Sequence, residues 1–187
     1  MAQTAVYMGI APAVVGQVMT ANDSHFSPIA YQADTDLVVG NFAFLKNGNP
    51  VRLVQAGTTA LAGLIVRNQV YAHSGFGAVN KVPANQPVCP IIKGNVAVVN
   101  GTNTTVTVGM RVHASQVDGS CVFSNNATES SCTPTPWKVI KVYGTGAKND
   151  MILIGTYDNA APVTLAEADA AFLTKAEADD LYAPKTP

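Results

Sequence analysis

The chain has 187 residues, 48% of them apolar and only 12% charged, with a formal net charge of −1. Nothing in it is basic enough for a nucleic-acid footprint, which needs clustered Lys and Arg. No apolar run approaches the ~20 residues that span a bilayer. The expected partners therefore include neither nucleic acid nor membrane. A charge fraction this far below the usual ~25% calls for a surface covered by Ser, Thr, Asn and Gly, or by other proteins.

The charges are unevenly placed. Residues 1–160 hold nine Lys/Arg and seven Asp/Glu, a balance of +2. Residues 161–187 hold Lys175 and Lys185 against Glu167, Asp169, Glu177, Asp179 and Asp180, a balance of −3. An acidic tail on a near-neutral body marks a separate element. The division expected is an N-terminal arm over 1–30, a β body over 31–160 and a tail of short helical repeats over 161–187. The N-terminus, MAQTAVYMGIAPAVVG, lacks the positive n-region of a signal peptide, which points to synthesis and retention in a cytoplasm until assembly.

Pro12, Gly16 and Pro28 punctuate an extended arm, in which Val14 to Met19 can pair with a neighbour. Leu37 to Leu45 (LVVGNFAFL) reads as the first strand, ended by an Asn47-Gly48 turn. Val51 to Gln55 alternates with period two. Leu61 to Val70 is a further apolar strand, with Gly63 marking a bulge or close approach. A Gly-rich loop over Ala72 to Ala78 and a break at Pro83 to Pro87 follow. Val88 to Val99 reads as one long strand bent at Gly94-Asn95, and Val106 to Ala114 as an alternating strand. Asp118-Gly119 is a turn before Ser120 to Ser124. Asn125 to Pro136 reads as loop. Trp137 to Val142 and Met151 to Tyr157 close the set around a hairpin loop at Gly144 to Asn149.

Strands and turn signals at ten-residue spacing predict an all-β body, an antiparallel barrel or jelly-roll-like sandwich, with an extended N-terminal arm and a short C-terminal helical tail. The tail is a ten-residue unit written twice, TLAEADAAFL (164–173) and TKAEADDLYA (174–183). Each unit opens on Thr-x-x-Glu, the capping box that satisfies the first backbone N–H groups of a helix. Helices this short are marginal alone and have to dock. Leu165, Ala168, Phe172, Leu173, Leu181 and Tyr182 supply the apolar surface, on the chain's own body or on a neighbour.

No catalytic, cofactor-binding or metal site is expected. His25, His73 and His113 are far apart and read as loop or half-exposed side chains. Asp34 and Asp36 read as turn or capping residues before a strand. GTGAKND (144–150) lacks the ending of a P-loop. Cys89, Cys121 and Cys132 form no CxxC pair and have no His at ligand spacing, so zinc is not expected. Free thiols are the commoner state for such cysteines, and a Cys121–Cys132 bond across a hairpin stays open.

The order LAGLIVRNQVY (61–71), VCPIIKGNVAVV (88–99), TVGMRVHAS (107–115) resembles phage head structural cement, or capsid decoration, proteins, with Met110-Arg111 standing where that family has Asp-Pro. FLTKAEADDLYAPK (172–185) is similar to short repeats of phage tail fibres. The first resemblance implies a virion protein on the capsid surface, a homo-oligomer (dimer or trimer) that cements neighbouring copies of the major capsid protein. The second allows a tail- or fibre-associated receptor-binding module instead. On either reading, the contact residues expected toward a partner or another copy are Val14, Val15, Leu165, Phe172, Leu173, Leu181 and Tyr182.

Overall fold

Short β-branched runs interrupted by Gly, Asn and Pro cannot sustain helices, and in the computed structural model every regular element among the described residues is a strand. The structure describes residues 14–19, 24–67 and 81–156. It divides into two units, Met1–Tyr157 and Asp158–Pro187. The repeat helices, with Leu165, Phe172, Leu173, Leu181 and Tyr182, lie outside the described residues, as do His73, the 72–78 loop and the predicted strand end at 68–70.

Seven strands form one sheet, in the order β1 (His25–Phe26), β9 (Ile91–Lys93), β6 (Leu61–Leu64), β4 (Phe42–Lys46), β5 (Asn49–Val54), β2 (Tyr31–Ala33), β8 (Pro87–Val88). Five form a second, β10 (Asn95–Val99), β14 (Met151–Gly155), β13 (Cys132–Tyr143), β11 (Arg111–Ser115), β12 (Cys121–Ser124). A ribbon of β3 (Leu37–Val38) and β7 (Lys81–Val82) completes the set. All pairs are antiparallel except β2 with β5. Each sheet has two different end strands, so neither closes on itself into a barrel.

The main core lies between the two sheets. Phe42, Phe44, Leu64 and Ile91 come from one, and Val96, Val112, Phe123, Trp137, Val139 and Ile152 from the other. A second core forms on the opposite face of the seven-stranded sheet, where Leu37 and Val82 of the ribbon cover Ala33, Ala43, Leu53 and Val88. β4 is thus buried on both faces, which is why its sequence is continuously apolar rather than alternating.

The predicted strand Leu37–Leu45 is two strands, because Gly40 at φ +88° breaks it. The Gln55 side chain takes up the backbone groups freed there, accepting from Val38 N–H and donating to Phe42 O. The long strand predicted over 88–99 is divided further. β9 belongs to one sheet and β10 to the other, and Gly94, at φ +138°, is the corner between them. Gly63, at φ +142°, sits at a register shift where an added Cβ would lie 2.7 Å from Ile91 O, the predicted bulge with close approach.

The predicted loop 125–136 ends at Ser131, since β13 begins at Cys132 despite Pro134 and Pro136. Those prolines fall before Lys138, where pairing with β14 starts, so that side of β13 has no ladder to break. Gln116 N–H bonds to Ser131 O, and alternation from that pair leaves His113 and Pro134 opposed without a hydrogen bond.

Candidate interaction surface

The N-terminal segment runs antiparallel to the chain around the Gly94 corner. Gly16 N–H bonds to Ala97 O, Ala97 N–H to Gln17 O, and Met19 N–H to Asn95 O. His25 then pairs with Lys93 and Phe26 with Ile91, and Ser27 N–H reaches Pro90 O. The arm therefore covers the outer edge of β10 and flanks β9, covering one margin of both sheets. Its two predicted contact residues differ. Val14 is 41% exposed, whereas Val15 is half-buried beside Gly40, whose added Cβ would lie 2.5 Å from Val15 Cγ1.

The remaining edges are blunted or short. β8 is two residues long and opens on Pro87, and β1 is also two residues. Exposed apolar side chains among the described residues are Phe26, Ile29, Val51, Ile92, Val108 and Val117. Sequence reading missed these, because period-two alternation fails wherever a strand is buried on both faces or sits in a turn. Ile92 is exposed on the face of β9 opposite to the one that buries Ile91 in the core.

The polar side chains serve the fold. Asp34 is an ion-pair hub, 2.9 Å from Lys46 Nζ and 3.0 Å from Arg52 Nη1. The hydrogen bonds from Lys46 and then Arg52 hold its carboxyl below the usual range. It is more than the turn residue expected, because β4 and β5 bring both cations to it. Asp36 accepts from Ala84 N–H, 48 residues further along the chain, a long-range tie in place of the local turn or cap expected.

His113 departs from expectation: it lies in β11 at 1% exposure, with Nε2 3.2 Å from Asn126 O, under the loop that follows β12. His25 is exposed on β1. All three cysteines are free. Cys121 pairs with Ala114 on one side of β11 and Cys132 with Ser115 on the other. The two thiols thus project from opposite faces two strands apart, about 10 Å, too far for a disulfide.

Among the described residues no three His, Cys, Asp or Glu side chains converge. The described residues line two shallow clefts among others. One is lined by the β4–β5 hairpin with Thr59 and Ala60, and the other by Ala30–Gln32, Val51, Asn85 and Pro87. Neither presents a carboxylate, a His or a thiol; Lys46 in the first is ion-paired with Asp34, and Tyr31 is the one titratable side chain lining the second.

Comparison with known proteins gives two findings. The sequence profile of a family described as XM1 gp53 minor capsid protein matches residues 2–156. In fold, the chain is similar to a chain of the solved structure titled "The capsid of Myoviridae Phage XM1", with a TM-score of 0.58 and 16% identity, over 83% of this chain and 97% of that one. No curated protein matches in sequence.

Proposed function

The chain belongs to the XM1 gp53 minor capsid protein family, a virion structural component located in the capsid and not an enzyme, and from that premise we propose that it binds the outside of the assembled shell and cements neighbouring major capsid subunits. The observation that carries this reading is the family match over 2–156, the whole described body. Its physical support is a β scaffold with few ionisable groups, clefts that present no carboxylate, His or thiol, and a terminal arm held on the surface with Val14 exposed.

A cement acts by mass action. It binds the assembled lattice and not the free subunits, so shell stability rises with occupancy. One site filled at a hundred times its dissociation constant contributes ~2.7 kcal/mol, and sites that bridge subunits gain further from effective concentration. In this reading Val14 and Val15 belong to the arm contact, and Leu165, Phe172, Leu173, Leu181 and Tyr182 to a tail latch, with the protein acting as a dimer or trimer. The family match stops before the tail repeat, so the likeness of that repeat to fibre segments bears only on the latch.

The test is thermal. Shells carrying the protein are expected to disrupt at a higher temperature than shells lacking it, and refilling stripped shells with purified protein restores the higher value. Equal disruption temperatures would sink the cement role.

A further inference from the structure

The margin where β1 and β9 meet is apolar and exposed. Phe26 is 47% exposed, Ile29 51% and Ile92 43% in the single chain. Phe26 pairs with Ile91, and Ser27 N–H bonds to Pro90 O, so residues 26–30 run alongside 90–92. The strip continues through Ala30 into the shallow cleft lined by Tyr31 and the exposed Val51. Neither 26–33 nor 87–92 contains a charged residue. Apolar side chains gathered on a surface mark a contact, whereas single ones need no explanation.

Charge enters at one end only. Lys93 and His25 are cross-strand partners, and both are exposed. Among the described residues no carboxylate forms an ion pair with Lys93. Asp34, the first carboxylate after the strip, is taken by Lys46 and Arg52. The body ends at this same place. Thr156, its last described residue, donates its N–H to Gly94 O, and its Oγ1 accepts from Gly94 N–H. Seven residues, 157–163, separate it from the repeat that opens at Thr164, a reach of roughly 25 Å when extended.

What covers a strip that the single chain leaves exposed comes from another molecule. Such a partner has to be apolar, to bury Phe26, Ile29 and Ile92, and acidic beside that, to meet Lys93. The tail repeat has this composition: Phe172, Leu173, Leu181 and Tyr182 follow AEAD and AEADD, at a balance of −3. Each copy's chain leaves its body beside its own strip. Two copies that meet at this margin therefore each bring a tail to the other's strip, the reciprocity of a closed symmetric oligomer. We propose that the apolar margin formed by Phe26, Ile29 and Ile92 receives the tail repeat of a neighbouring copy, so that copies are clasped together by exchanged tails. The inference rests on the tail latch of the shell-binding reading and names what that latch grips. Its test uses no shells, so the two can fail separately.

Sedimentation velocity over a wide range of protein concentration reads the association of the full chain. Wild type is compared with a strip variant (F26S/I92S), a tail variant (F172A/Y182A), K93E, and V108S at an exposed apolar position outside the strip. Urea midpoints at low protein concentration show that each variant still folds, and I29S replaces F26S/I92S should the latter unfold. Wild type and V108S are expected to associate alike as concentration rises. The strip and tail variants are each expected to need about tenfold more protein, or higher, to do so. K93E weakens association at low salt and approaches wild type at high salt. Mixing the strip variant with the tail variant restores association in part, since one supplies an intact tail and the other an intact strip. A wild type that stays monomeric throughout overturns the inference, as do strip and tail variants that associate as wild type does. A mixture that recovers nothing overturns it too, and is the result expected were the strip's occupant a part of the same chain.

Discussion

At the scale of single residues, the loops at one end of the five-stranded sheet hang on two side chains. Asn100 is fully buried, donates from Nδ2 to Thr104 O and Gly146 O, and accepts at Oδ1 from Thr102 N–H and Oγ1. Asp150, whose carbonyl accepts from Asn100 N–H, ties the β13–β14 hairpin through its carboxylate to Thr145 N–H and Ala147 N–H. Those bonds, the Thr145 N–H first, hold the Asp150 carboxyl below its ordinary range. A depressed folded-state value means that the unfolded chain takes the proton first. The stabilisation is therefore present above the ordinary carboxylate value of about 3.9 and is lost as pH falls through the lower folded value. Urea midpoints measured from pH 7 down to pH 3 should drop at the acid end in wild type and drop less in Asp150→Asn, which starts lower because its amide replaces an acceptor oxygen by a donor. The thiols give a second residue-scale expectation. Burial pushes the Cys121 thiol up to about 12, Cys132 is half-buried and Cys89 exposed. Titration with a thiol reagent should label Cys89 first, Cys132 more slowly, and Cys121 only after unfolding. Fewer than three thiols in the denatured protein would contradict the sheet register that separates Cys121 from Cys132.

At the scale of elements, the corner at Gly94 controls how the arm and the two sheets meet. A Cβ there would lie 2.7 Å from Ser24 Oγ and 3.1 Å from Ile91 Cδ1, at φ +138°. At Gly48, in the tip of the β4–β5 hairpin, φ is +73° and nothing lies within 4 Å. Gly94→Ala should therefore cost about 2–3 kcal/mol, and Gly48→Ala about 1 kcal/mol from backbone strain alone, both read by denaturant unfolding. Equal losses would show that the corner is not tightly packed. Glycine, Asn and Asp were the legible part of the sequence: the Asn47-Gly48 hairpin, the Gly63 bulge, the bend at Gly94-Asn95 and the Asp118-Gly119 turn all lie where turn chemistry puts them. Three things were not legible, each for a physical reason. The Gly40 break is hidden inside LVVGNFAFL because both faces of β4 are buried, which removes the alternation that would show two strands. The start of β13 is hidden by Pro134 and Pro136, which are tolerated because β14 has not yet joined on that side. The third is the pairing of Arg111 with Lys138 and the register shift that follows Val139, which period-two counting along one strand cannot supply.

At the scale of the molecule, three boundaries fall almost together. The family match ends at residue 156, the first compact unit at Tyr157, and the last strand at Gly155. Beyond residue 160 the charge balance changes from +2 to −3 and the ten-residue repeat begins. Every described strand of both sheets thus precedes the tail. If the tail is a latch, it adds a second contact to each copy already seated by its body, and linked contacts multiply rather than add. Truncation after Tyr157 is then expected to leave the urea midpoint of the body within the error of measurement while lowering occupancy on stripped shells at a fixed protein concentration. The paired substitution Phe172→Ala with Tyr182→Ala should reproduce that loss without shortening the chain. Full occupancy by the truncated protein would assign the whole of shell binding to residues 1–157 and remove Leu165, Phe172, Leu173, Leu181 and Tyr182 from the contact.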